Sequence, residues 1–319
     1  MEFKVSVIIP VYKAEKYIEK AVISAIEQPE TGEIILIEDN SPDNSLAICE
    51  KLEKQFNSVR LIPNKSKKNN GAGASRNIGI KAAIFPFLAF LDADDYYLPG
   101  RFSHAKQLLI ENENIDGVYE AIGTTAYDDF AAKLHLRRMQ ETKMDIPVDL
   151  TTFSEAVPPD KFFEVLLFGK KGWFHFNGLT LKKSVFNKVE MLDEKLIHCE
   201  DTEFFYRLAM NSSLMAGRLD VPVAMRGIYN GNNTLSIYTS EERYKDNVFY
   251  TSLMWEKLFI EMINKNFNKK INQFILFRHL DYYSTEFALS KVTFYRKLVK
   301  AINLLRVLMN YPQIIQKIL

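Results

Sequence analysis

The sequence predicts an α/β fold, a mostly parallel sheet flanked by helices, with a helical extension at the C-terminus. Short apolar runs alternate with segments of helical periodicity over residues 5–91, at the spacing of βαβ units. Two of the apolar runs end directly in acidic residues. Beyond about residue 240 the periodicity is helical throughout.

The elements follow in order. Residues 5–10 (VSVIIP) form a β-rich run closed by proline. Residues 15–28 place Ile18, Val22, Ala25 and Ile26 on one helical face. The run 33–37 (EIILI) is a buried strand followed by Glu38 and Asp39. Ser41 to Ser45 supplies a turn and cap for a helix from Leu46 to Phe56, and Val59 to Ile62 is a third strand. A polar, glycine-rich loop then opens a helix running through Ile84. Phe87 to Leu91 is a fourth strand, ending at Asp92, Asp94 and Asp95. Parallel sheets place ligands at the carboxyl ends of their strands, where both acidic clusters fall.

The middle is less regular. A helix is expected from Pro99 to about Asn112 and a strand over Ile115–Ile122. Residues 123–160 read as an insertion with a basic helical patch, Lys133 to Arg138. An aromatic loop spans Gly172 to Gly178, and a helix opened by acids starts at Asp201. A short strand is expected near Val221–Ala224, then a turn over Asn230–Thr234.

Composition narrows the function classes. At 319 residues, 47% hydrophobic and 25% charged, the chain is globular rather than disordered, collagen-like or disulfide-stapled. Its net charge of +1 gives no global footprint for nucleic acid. Yet residues 265–319 carry ten Lys/Arg against two acids, so a basic tail of +8 balances a body of −7. Cys49 and Cys199 form no CxxC pair, which argues against a zinc knuckle and for a reducing, cytoplasmic setting. The longest wholly apolar run, Ala82 to Leu91, is half the length of a membrane span.

Several clusters carry candidate chemistry. Three carboxylates in four residues, Asp92, Asp94 and Asp95, repel one another unless a hard divalent cation such as Mg²⁺ or Mn²⁺ joins them. The other reading is a solvated acidic turn. Glu38 and Asp39 can accept hydrogen bonds from a nucleobase imide or sugar hydroxyl, or serve a side-chain-rich turn. Arg76, in the entry Gly71–Gly79, can contact a phosphate or pair with Asp92 or Asp94 behind the site. Glu200 and Asp201 offer a general base or an ordinary helix cap. His198 lines a pocket or binds metal, and Trp173 and His175 stack on a sugar or pack in the core.

Five segments stand in order: VSVIIPVY (5–12), EDNSPD (38–43), GASRNIG (73–79), LDADD (91–95) and CEDTEF (199–204). Together they resemble the inverting family 2 glycosyltransferases of the GT-A fold, over roughly residues 4–236. The resemblance implies a nucleotide-sugar donor, with UDP expected, and Mn²⁺ or Mg²⁺ on Asp94. Pro10, Val11, Tyr12 and Asp39 would hold the nucleoside. Arg76, Asp92 and Ala93 would lie along the donor, with Asp92 on its ribose or sugar. Asp201 would deprotonate the acceptor hydroxyl, Glu200 would shape the pocket, and Trp173 would lie near the sugar. Tyr229 stands where the family usually carries a histidine toward the diphosphate or metal, and Cys199 where it has glycine.

The resemblance implies transfer of one sugar, with inversion, to a saccharide or lipid-linked saccharide in surface polysaccharide synthesis. A QxxRW stretch, usual in processive members, is missing. Two rivals remain: a non-catalytic carbohydrate-binding or assembly protein, and a sugar-nucleotide nucleotidyltransferase. The expected division is a catalytic domain over 1–240, its donor half about 1–98 and acceptor half about 99–240, and a basic helical region over 241–319. That region would cover the acceptor site, touch the inner face of the membrane or join a homo-oligomer.

Overall fold

The computed structural model describes residues 2–64, 66, 68–142, 146–169, 171–230, 240–265, 267–287, 304–305, 307–309 and 311. The first seven elements are β1 (Val5–Val11), α1 (Ile18–Ile26), β2 (Thr31–Glu38), α2 (Ser45–Gln55), β3 (Val59–Pro63), α3 (Gly71–Ala82) and β4 (Phe87–Phe90). Helix α1 begins later than periodicity suggests because the loop ahead of α2 captures the preceding amides. Ala14 N donates to Ser45 Oγ and Glu15 N to the Asp43 carboxylate. Strand β1 is paired in parallel to β2 on one side and β4 on the other, and its five apolar residues are fully buried. Helix α3 lies close on β1, since a Cβ at Gly79 would fall 2.4 Å from Ile8 Cγ2.

Then come β5 (Tyr96–Tyr97), α4 (Ser103–Glu111), β6 (Gly117–Tyr119), β7 (Ile122–Ala126), α5 (Asp129–Thr142), β8 (Leu150–Thr151), α6 (Phe162–Phe168), β9 (Leu179–Lys182), α7 (Glu200–Asn211), β10 (Leu214–Ala216) and β11 (Ala224–Ile228). The strands form two separate sheets. One has the order β10-β6-β9-β4-β1-β2-β3, the other β5-β11-β7-β8.

The expectation of a GT-A fold on one mostly parallel sheet is therefore corrected: the architecture is a two-sheet α/β arrangement. Within the larger sheet β9 runs antiparallel to both β4 and β6. The single strand expected over Ile115–Ile122 is broken into β6 and β7, which belong to different sheets. The break has a cause at Glu120. Its backbone N–H donates to Gly178 O, and its side chain turns into the core to meet Arg101. The strand expected at Val221–Ala224 sits later, as β11, just after Val223, whose carbonyl oxygen accepts from Leu98 N. The turn expected over Asn230–Thr234 lies outside the described residues after Asn230.

Arg101 and Glu120 make a fully buried ion pair at 3.0 Å. Arg101 Nε also donates to Asn177 O, and its guanidinium lies 4.9 Å from the Phe102 ring centroid. Burial raises the Glu120 carboxyl pKa and Arg101 opposes that rise without cancelling it.

Chain contacts divide the structure into two units, residues 1–194 with 204–235, and 195–203 with 236–319. The second unit contains α8 (Glu241–Asn264) and α9 (Lys269–Phe287). Met254, Trp255, Leu258 and Phe259 of α8 are buried, as are Ile271, Ile275, Leu276 and Leu280 of α9. Spacing of three and four residues puts each set on one helical face. His279 stacks on Phe259 at 4.7 Å, and burial depresses its pKa from 6.5 to about 4. Most of the basic stretch 291–319 lies outside the described residues.

Two outcomes follow. Arg101→Met should lower unfolding free energy by about 3–5 kcal/mol in urea titrations, because Glu120 is left charged and dry. The double variant Arg101→Met/Glu120→Leu should recover part of that loss. At His279 the folded state binds its proton less readily than the unfolded chain. Its contribution is fully present above pH 6.5 and is lost as pH falls toward 4. Unfolding measured from pH 7.5 to 4.5 should show an acid loss about 2 kcal/mol smaller in His279→Leu than in wild type.

Candidate functional site

The acidic turn follows β4, inside the first unit. Arg76, 5% exposed on α3, donates through Nη2 to Asp92 Oδ1 at 2.7 Å, and its guanidinium lies 4.3 Å from the Phe176 ring centroid. Of the two readings for Arg76, the geometry is that of a cation braced behind the acids. Asn177 is the hub of the turn and fully buried. Its Oδ1 accepts from Asp92 N at 3.1 Å, and its Nδ2 donates to Asp95 Oδ2. Gly227 N donates to Asp95 Oδ1 at 2.8 Å, bringing β11 against the turn. A Cβ at Gly227 would lie 2.7 Å from the Asp94 carbonyl oxygen, so a side chain there would push the two sheets' edges apart.

The three carboxylates differ. Burial raises Asp92, but Arg76 and then His175 outweigh it and hold its pKa below the ordinary range. Asp94 is pushed up to about 6 by burial and then by the neighbouring Asp92 charge. Asp95 is raised well above its ordinary value by burial and then by Asp94 and Asp92. Such a cluster favours a cation or a shared proton.

Asp92, Asp95 and His175 each offer an atom within 4.8 Å of the others, a set that can hold a divalent metal ion. His175 Nε2 lies 3.8 Å from Asp92 Oδ2, while Nδ1 accepts from Asn177 N at 3.3 Å. With Nδ1 accepting, the neutral ring keeps its proton on Nε2, facing the carboxylate, so His175 can join a metal site through Nε2 only after Nδ1 gives up the Asn177 bond and takes the proton. Asp94, the expected ligand, accepts from the Tyr229 hydroxyl through Oδ2 at 3.3 Å. Tyr229 stacks on Tyr17 at 5.2 Å, and Tyr17 on Tyr127 at 5.5 Å, forming an aromatic wall beside Asp94.

Asp39 is buried at the head of α3, accepting from Asn70 N and Gly71 N, each at 2.9 Å. Its carboxylate does the capping that the Asn70 side chain does not. Pro10 and Val11 end β1, and Tyr12 beyond them is 42% exposed. Ala93 is buried within the turn. Trp173 is half-buried, edge-on to Tyr206 at 5.7 Å.

In the second unit, Glu200 and Asp201 form the first turn of α7. Asp201 Oδ1 accepts from Thr202 N at 2.6 Å. Cys199 ahead of them has φ +62°, the left-handed region that glycine enters without strain, which accounts for the family's usual glycine there. Its thiol is driven up to about 12 by burial, so it is no nucleophile. His198 Nε2 faces Arg243 Nη1 at 3.3 Å. Sequence reasoning passed over Asn177, Gly227 and Tyr17. The one available signal was a lone Asn closing the aromatic run 173–176, before Gly178.

The family model described as Glycosyl transferase family 2 matches residues 6–165. The chain belongs to that family. Among curated relatives it is 36% identical over 110 residues to the glycosyltransferase EpsJ of Bacillus subtilis (strain 168), covering 34% of this chain and 31% of EpsJ. It is 35% identical over 112 residues to the minor teichoic acid biosynthesis protein GgaB of the same organism, covering 34% of this chain and 12% of GgaB. The chain thus spans under a third of the length of either relative. The crystal structure of S. aureus TarS 1-349 shares its fold, with TM-score 0.60 at 19% identity, covering 94% of this chain and 78% of that one. TarS 1-349 has also been crystallised with UDP and with UDP-GlcNAc.

Arg76→Met should destabilise the first unit by about 2 kcal/mol, by leaving Asp92 uncompensated. Added Mg²⁺ or Mn²⁺ should raise the Tm of this variant more than that of wild type, as followed by thermal unfolding with metal titration.

Proposed function

We infer that this chain is an inverting glycosyltransferase. It moves one sugar from a nucleoside-diphosphate donor, UDP-GlcNAc or a related UDP-sugar, to a hydroxyl of a saccharide or lipid-linked saccharide in surface polysaccharide synthesis. The observation that carries the reading is the buried turn Asp92–Asp95, braced by Arg76 and Asn177, in a chain of this family. TarS crystallised with UDP-GlcNAc and GgaB named for teichoic acid biosynthesis support the donor and pathway class.

In this reading Pro10, Val11, Tyr12 and Asp39 flank the nucleoside, Asp92 and Ala93 lie along the donor, and Asp94 is the metal ligand. A Mn²⁺ or Mg²⁺ ion held at the acidic turn would supply positive charge against the departing diphosphate. Asp201 takes the acceptor proton as that oxygen attacks the anomeric carbon, and Glu200 shapes the pocket. Trp173 and His175 border the sugar, and His198 the acceptor side. A single displacement inverts the configuration. The domain halves at 1–98 and 99–240, the cytoplasmic setting, and contact of the basic tail with the membrane or a second copy belong to the same reading. Among the described residues no helix is long and apolar enough to cross a membrane.

The test is nucleoside diphosphate release from a panel of UDP-sugars, with and without Mn²⁺. Asp94→Ala and Asp201→Asn should each lower acceptor-dependent turnover by at least ~100-fold. Asp201→Asn should keep any acceptor-independent release. Undiminished transfer in both variants would sink the assignment. A non-catalytic binding protein would release nothing from any donor, and a nucleotidyltransferase would form UDP-sugar from UTP and sugar phosphate.

A further inference from the structure

A cleft lies in the first unit, at the opposite end of the sheet from the acidic turn. It has a volume of about 640 Å³, within the range of ligand sites. Its position follows from two elements. Strand β4 enters it with Phe87 and leaves toward Asp92, and α3, whose first residue Gly71 donates to the Asp39 carboxylate, reaches it with Ile80 and Lys81. The floor is apolar: Ile80, Pro86, Phe87, Phe186 and Met191. The rim is basic, with Lys81, Lys182 and Lys183 and no acid lining the cleft.

Two of the lysines are held in place. Lys182 Nζ donates to Glu113 O at 2.7 Å, and Lys183 Nζ to Ala83 O at 2.6 Å. An ammonium has three donors, so each keeps two for an anion. Ile84, in the segment joining α3 to β4, is 71% exposed between the cleft residues Lys81 and Pro86. The lining offers no strand edge to a peptide, because β9 is paired on both sides and β4 is paired with β1 and β9. A bare inorganic anion would satisfy the lysines and leave the apolar floor wet.

We propose that this cleft takes the anionic head and upper acyl chain of a membrane phospholipid, seating the first unit on an anionic bilayer through the amino ends of its parallel strands. Lysines lie at the phosphate level, Ile84 enters the headgroup boundary, and the apolar floor covers the chain. The acidic turn then opens away from the bilayer, by about 17 Å, the five-residue rise from Phe87 to Asp92 along β4. That orientation suits an acceptor saccharide extending into water. It does not depend on the basic tail.

The test is flotation of the full chain with vesicles of phosphatidylglycerol and phosphatidylcholine, against phosphatidylcholine alone. The variant Lys81→Glu/Ile84→Ser/Ser184→Glu changes three exposed side chains and leaves the backbone bond from Ile84 N to the Glu33 carboxylate in place. It should weaken binding to the anionic vesicles by at least ~10-fold, at roughly tenfold or less per charge. Its thermal unfolding and its donor cleavage in solution should match wild type, which separates this outcome from failure of the glycosyltransferase reading. Dodecyl phosphate below its critical micelle concentration should compete for the cleft, and inorganic phosphate should not. Equal vesicle binding by wild type and variant assigns the membrane contact to the basic tail and overturns the proposal. So does failure of wild type to bind anionic vesicles. Competition by inorganic phosphate as strong as by dodecyl phosphate makes the cleft a free-anion site and overturns it as well.

Discussion

Three carboxylates within four residues can share a buried strand end only if fixed donors and cations hold their charge. In this protein that constraint organises the first unit. Arg76 is laid against Asp92 by α3, Asn177 reaches both Asp92 and Asp95 from the aromatic segment, and Gly227 brings a second sheet to Asp95. The helix, the segment 176–178 and β11 come from widely separated parts of the chain. Residual strain in the cluster appears as the raised Asp94 and Asp95 carboxyls, the electrostatic condition for attracting a cation.

Behind the turn, the same residues tie function to stability. Asn177 gives its side chain to the acids and its carbonyl to Arg101, whose ion pair with Glu120 coincides with the break between β6 and β7. The break sends the chain from one sheet to the other, and so creates the second sheet that carries Gly227 and Tyr229. A buried ion pair of this kind adds little net stability over an apolar pair of equal volume. Its value lies in direction, since Glu120 has one place in the core where its charge is met.

The alternation of apolar runs with helical periods located β1 to β4 and the helices between them, because each is held by local pattern and burial. The sites at strand ends were legible for the same reason: an acid directly after a buried strand has nowhere to go but the carboxyl edge. Asn177, Gly227 and Tyr17 were not legible. None has a local pattern that marks it, and their importance comes from contacts some 80 to 210 residues away in the chain. The single-sheet expectation failed at Glu120 because periodicity cannot show that one residue in an apolar run turns its charge inward toward Arg101.

The sequence by itself determined the α/β class, the family, the acidic turn and the glycine-rich helix entry, since these rest on short-range order in residue type. The tertiary structure decided that Arg76 braces Asp92, that Asp39 caps α3, that Tyr229 leans on Asp94, and that the strands divide into two sheets. Those are matters of which distant groups meet. Meeting is governed by the burial of charge and the pairing of strands, which no window along the chain contains.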